Sequence, residues 1–137
     1  MNRPNRPLGI ILVSGFYVFG AIVLLVSMFT MPEAVSRQIA ERQGLPVNMG
    51  ISVLLVTAIL ALFIAYGLFS LSSWGFYLTL IYLTYFGGIS FLLGAKSGIQ
   101  PYLGNLLWSI LVIAYLLFKR KSFFFGKKTQ RFSRELP

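Results

Sequence analysis

Tyr102, Asn105 and Ser109 stand three and four residues apart, the spacing that puts side chains on one face of a helix. Each carries a neutral group able to donate and accept hydrogen bonds. Ser90 and Ser52, in the two preceding apolar runs, are expected at similar depth. Together the five residues outline a small polar cavity open at one membrane face. Their chemistry is recognition of a neutral molecule. The plainer alternative is a set of hydrogen bonds between helices, each worth about 0.6–2 kcal/mol, and the sequence alone favours it. No set of residues for acid–base, nucleophilic or metal chemistry stands beside them. Cysteine and histidine are absent, and the only acids are Glu33, Glu41 and Glu135, all outside the apolar runs. Zinc, haem and iron–sulfur sites therefore lack side-chain ligands. No glycine-rich phosphate loop, Ser-His-Asp set or carboxylate pair occurs. The apolar runs hold no ionisable group other than tyrosine, whereas pumps, coupled transporters and voltage sensors place charges within the membrane. Neither an enzyme nor a cofactor is expected.

The second chemical feature is the C-terminal tail. Lys119, Arg120, Lys121, Lys127, Lys128, Arg131 and Arg134 supply seven positive charges, interleaved with Phe123, Phe124, Phe125 and Phe132. The net charge of +9 would point to nucleic acid in a soluble protein. Here most of it follows an apolar run, so anionic lipid head groups are the closer partner, at about 1 kcal/mol for each basic residue near the surface. The phenylalanines can enter the head-group boundary. The same charges would also serve as a topology signal alone.

The elements that must hold these groups follow from composition. The chain of 137 residues is 57 % hydrophobic and 11 % charged, against about 25 % charged in soluble domains. From Gln43 to Ala95 there is no charged residue. As one helix that window would be about 80 Å long, and a bilayer core is about 30 Å thick. It must turn back, and Ser70-Leu71-Ser72-Ser73 is the one polar place to do so. The reading is an all-α polytopic membrane protein in one domain, residues 1–137, with transmembrane helices over 8–31, 48–70, 74–93 and 102–118 and a basic tail over 119–137. The first run is longer than the h-region of a signal peptide, about 7–15 residues, so it reads as an uncleaved span. Gly94 to Pro101 reads as a turn carrying Lys96. In the first outer loop, Pro32 suits a helix start, and Glu33, Arg37 and Glu41 share a face opposite Val35 and Ile39. This predicts a short amphipathic helix on the membrane surface.

Four spans put both termini and the serine turn on one side, with nine of the lysines and arginines, and leave three on the other. The positive-inside rule then places both termini in the cytoplasm, most naturally at the plasma membrane. Helices in lipid associate through small residues. Thr57, Ala61 and Ala65 form one such face; Thr84 with Gly88, and Gly87 with Ser90 and Gly94, form two more on the next helix. Gly15-Phe16-Tyr17 matches Gly75-Phe76-Tyr77, and Ile64-Ala65-Tyr66 matches Ile113-Ala114-Tyr115. In so biased a composition, chance explains these better than duplication.

Arg6-Pro7-Leu8-Gly9, Gly67-Leu68 followed by Trp74-Gly75-Phe76, and Ala114-Tyr115-Leu116 before a basic tail give the chain a layout of its own kind. It resembles small bacterial and archaeal membrane proteins of four helices. In those the tryptophan-glycine is often followed by arginine, where this chain has Phe76. The resemblance implies a fold and carries no activity or functional residue. The leading functional expectation is a non-enzymatic accessory or scaffold subunit that binds membrane proteins or lipid. The alternative is a small carrier or channel for a neutral or lipidic molecule.

Overall fold

A computed structural model describes residues 6–42, 45, 48, 51–98, 100 and 102–124. Among the described residues six helices follow one another: α1 (Leu8–Thr30), α2 (Glu33–Arg42), α3 (Ile51–Phe69), α4 (Ser73–Ser97), α5 (Leu103–Phe118) and α6 (Arg120–Phe124). Three of them, α1, α3 and α4, are long and apolar enough to cross a membrane. The fourth apolar helix, α5, has 16 residues, or about 24 Å. The described residues contain no strand.

Each boundary has a local cause. Pro32 pushes Met31 into extended backbone (φ −100°, ψ 147°) and ends α1. The Pro32 carbonyl then accepts the first hydrogen bond of α2 from the Val35 amide, at 2.9 Å. Glu33 lies in the first turn of α2 and Arg42 in its last, each on the favourable end of the helix dipole. Arg37 donates to Glu33 at 2.8 Å, an exposed pair worth about 0.3–0.5 kcal/mol. These residues form a helix, whose small residues Ser36 and Ala40 are buried and which packs on α3.

The turn between α3 and α4 uses the serines as the sequence implies. Leu71 adopts a left-handed conformation (φ 52°). The Ser72 amide donates back to the Gly67 carbonyl at 3.1 Å and the Leu71 amide to the Leu68 carbonyl at 3.0 Å. This is a Schellman helix end with leucine in the position that glycine usually takes. The Ser72 and Ser70 hydroxyls also donate to the Gly67 carbonyl, at 2.9 and 3.2 Å. Serine is needed here because α3 leaves its last carbonyls without helical partners. The turn also brings Gly67 against Gly75. A side chain at Gly67 would place Cβ 2.6 Å from the Gly75 Cα, so the two backbones touch.

Neighbouring helices run antiparallel. The Arg6 guanidinium stacks 3.9 Å from the centroid of the Phe69 ring, which sets the start of α1 beside the end of α3. Asn105 reaches Ser90 and Ser109 lies against Gly87, so α5 runs back along α4. Phe16 stacks on Trp108 with ring centroids 4.1 Å apart, and Gly9 leaves room for the Tyr115 ring, so α1 and α5 are also neighbours. The buried face of α1 is Ile10, Val13, Tyr17 and Ala21. That of α3 includes Leu54, Thr57, Ala58, Ala61, Ile64 and Ala65, and these small residues let α1 pack along it.

Several expectations are corrected. On α4, Gly87 and Ser90 are buried, but Thr84 and Gly88 are exposed, and a Cβ at Gly88 would meet nothing. The two faces are one residue apart, and contact with α5 selects the one bearing Gly87. The turn expected from Gly94 is helical as far as Ser97, with Lys96 in the last turn of α4. The matching Gly15 and Gly75 are not equivalent, since Gly15 faces open space while Gly75 is pressed on Gly67.

Candidate functional site

Of the five residues expected to outline a polar cavity, four gather and one does not. The Asn105 amide Nδ2 donates to the Ser90 Oγ at 2.6 Å, joining α5 to α4. Ser109, one turn further along α5, is 2 % exposed and pressed against Gly87. Tyr102 sits at the start of α5. Tyr102, Asn105 and Ser109 line a cavity of about 300 Å³ with Phe16 and Tyr17 from α1, Tyr82, Leu83 and Phe86 from α4, Trp108 from α5 and Arg42 from the end of α2. Ser52 lies elsewhere. It is exposed, in an apolar groove of about 440 Å³ between α3 and α4. Depth along α3 was read from the sequence, but rotation was set by Leu54, Thr57, Ala58 and Ala61, which turn inward.

The cavity exists because α1 and α5 meet chiefly through long aromatic side chains, which leave space beyond their tips. It also holds polar atoms that the protein does not satisfy. The Tyr17 hydroxyl, the Trp108 Nε1 and the Ser109 hydroxyl are all buried and none makes a well-formed hydrogen bond, although the Trp108 indole N–H lies beside the Tyr17 hydroxyl. Tyr17 is 5 % exposed. A buried donor or acceptor left unmet costs about 1–3 kcal/mol, so three on the wall of one cavity mark where a polar partner would be held. The walls are flat rings: Tyr82 lies over Phe86 at 4.4 Å and edge-on to Tyr17 at 5.8 Å. Among the described residues Arg42 makes no ion pair. Its charge is the one cation among the described residues of the cavity lining.

Sequence reasoning missed Tyr17, Tyr82, Trp108 and Arg42. Tyr17 did leave a signal, as the one side chain with a polar tip in the spacing Ile10, Val13, Tyr17, Ala21. Tyr82 and Trp108 look like ordinary membrane aromatics, and only the meeting of three helices brings them together. No group of metal-binding side chains occurs among the described residues.

The expected lipid-binding tail divides in two. Lys119, Arg120, Lys121, Phe123 and Phe124 are described; Phe125, Lys127, Lys128, Arg131 and Arg134 lie outside the described residues. Arg120 and Lys121 are exposed, as a surface-binding segment requires. Phe123 is not free to enter a bilayer. It is 1 % exposed and packs on Phe76 with ring centroids 5.3 Å apart. Phe124 flanks both Phe76 and Tyr77, at 5.5 and 5.8 Å.

Asn105→Ala is expected to lower stability by about 1 kcal/mol, within the range for one hydrogen bond between membrane helices. Thermal unfolding in detergent measures this. The double variant with Ser90→Ala should cost no more than Asn105→Ala alone, because the two residues share one bond. Strict additivity would show that they do not interact. No protein-family model, curated protein or solved structure matches this chain.

Proposed function

We propose that this chain is a non-enzymatic integral membrane protein that binds a small lipid-soluble molecule in the cavity between α1, α4 and α5, in the manner of a carrier or receptor. The observation that carries this reading is the set of three buried polar atoms of Tyr17, Trp108 and Ser109 on one cavity wall, none of them in a well-formed hydrogen bond. The reading takes α1, α3, α4 and α5 as four spans of one bundle, with α5 lengthened across the bilayer by Lys119 reaching the interface. In this reading both termini face the cytoplasm of the plasma membrane, and Lys119, Arg120 and Lys121 lie against anionic head groups. A second reading keeps the chain as an accessory subunit holding another membrane protein. It is favoured by the apolar groove of about 530 Å³ between α1 and α3, lined by Ile11, Val18, Phe19 and Leu62 among others.

Solvent extraction of protein purified in mild detergent, followed by mass spectrometry, separates the two. The expected result is one small molecule per chain, retained through washing. It should be lost from Tyr17→Phe combined with Ser109→Ala, which removes two hydroxyls and adds no bulk. A preparation free of small molecules but holding a stoichiometric protein partner would favour the accessory subunit. Topology has its own check. A reporter after Pro137 should read cytoplasmic and one near Gln43 external, and the same side for both would end the four-span reading.

A further inference from the structure

We infer that the cavity takes the head of an isoprenoid-quinone-type molecule, planar and carrying carbonyls, with its apolar tail leaving through the groove between α3 and α4. The inference rests on the binding role proposed above and names the ligand class. The part of the head that meets the buried wall is taken as neutral, because the groups of Tyr17, Trp108 and Ser109 there carry no charge, and Arg42 is the cation elsewhere on the same lining. It must present acceptors, because the Tyr17 and Ser109 hydroxyl protons have no acceptor among the described residues and the Trp108 Nε1, beside the Tyr17 hydroxyl, can only donate. Arg42 supplies a further donor on the lining for a second acceptor on the same head. It is flat, because it must lie among the rings of Phe16, Tyr82 and Trp108.

The route inferred for the tail runs past one aromatic pair, Tyr82 and Phe86, which lines both spaces. The helices α3 and α4 touch at Gly67 and Gly75. Towards their other ends they enclose the 440 Å³ groove lined by Val53, Val56, Leu60, Leu78 and Ile81. Tyr82 and Phe86 line both this groove and the polar cavity. One aromatic pair thus stands between a lipid-accessible apolar channel and a polar chamber. A molecule with a carbonyl-bearing ring at one end and hydrocarbon at the other fills both, and it reaches them from the bilayer without crossing water.

The two tryptophans make the test direct, since quinones quench indole fluorescence. Trp108 is in the site, and Trp74 lies by the α3–α4 turn against Tyr66. Full-length, delipidated Trp74→Phe protein in detergent is titrated with decyl-benzoquinone, reading Trp108 alone. The Trp108→Phe protein, reading Trp74, reports quencher that has merely dissolved in the micelle. The expected result is saturable quenching of Trp108 and only linear, weaker quenching of Trp74. Adding Tyr17→Phe to the Trp74→Phe protein should raise the half-saturating concentration about tenfold, one well-made hydrogen bond. The melting temperature without ligand should stay the same or rise, because the hydroxyl removed makes no well-formed hydrogen bond; a merely structural tyrosine would show the reverse. Decanol and decanoate, with the same tail and no ring, should compete poorly. Equal competition by either would overturn the quinone head while leaving a lipid-binding cavity in place. Linear quenching of both tryptophans alike would overturn the quinone inference, and the extraction experiment then decides the binding role independently.

Discussion

Gly75→Ala is expected to be among the most damaging single substitutions in the described chain, although it adds one methyl group. A Cβ at Gly75 would strike the Gly67 backbone, 2.5 Å from its Cα and 2.6 Å from its carbonyl oxygen. Real Cβ contacts do not come so close, and no rotamer change can relieve a clash with backbone. The helices would have to separate at the turn where they are most tightly joined. Separation would also disturb the Gly67 carbonyl, which accepts from the Ser72 amide and from two serine hydroxyls. Overpacking costs about 1–3 kcal/mol when side chains can adjust, so a backbone clash belongs at or above about 3 kcal/mol. Thermal unfolding in detergent, with Gly88→Ala as the comparison, provides the measurement. Gly88 faces open space, and alanine there should be neutral or slightly stabilising because it favours helix over glycine. Equal melting temperatures for the two variants would mean that α3 and α4 do not meet as described.

Phe123→Ala is expected to cost about 3 kcal/mol, the lower end for removing a fully buried phenylalanine. The ring sits on Phe76 and is almost completely covered, while its neighbour Phe124 is 37 % exposed. Phe124→Ala should therefore cost much less. The contrast matters for the basic segment. If the phenylalanines served only to enter lipid, the two substitutions would have similar effects on vesicle binding and none on unfolding in detergent. In the structure Phe123 ties α6 to the start of α4, which holds Lys119, Arg120 and Lys121 close to the turn at Ser70–Ser72. Destabilisation by Phe123→Ala, with vesicle binding of the folded variant unchanged, would identify Phe123 as a clasp. Equal loss of vesicle binding in both variants, without loss of stability, would return Phe123 to the lipid-binding set.

Composition and pattern alone determined the elements. A charge-free window too long for one helix had to fold back, and hydroxyls at Ser70 and Ser72 were the groups able to satisfy the orphan carbonyls of α3. The termini of α1 and α2 followed from Pro32, whose ring restricts the residue before it and suits a helix start. The small-residue row Thr57, Ala61, Ala65 was legible because close packing in lipid needs small side chains at a fixed period. What sequence did not determine was rotation. Hydrophobic periodicity orients a helix only when one face meets water, and in a membrane both the lipid side and the protein side are apolar. Ser52 turned into the groove and Gly88 outward for that reason. The cavity was decided by tertiary structure alone. Tyr17, Tyr82 and Trp108 come from three helices far apart in the chain, and nothing local to any of them records that their rings and polar tips share a wall. That the polar atoms of Tyr17 and Trp108 make no well-formed hydrogen bond is a property of the assembled helices, because each group would find water or a neighbour in any less closely packed arrangement.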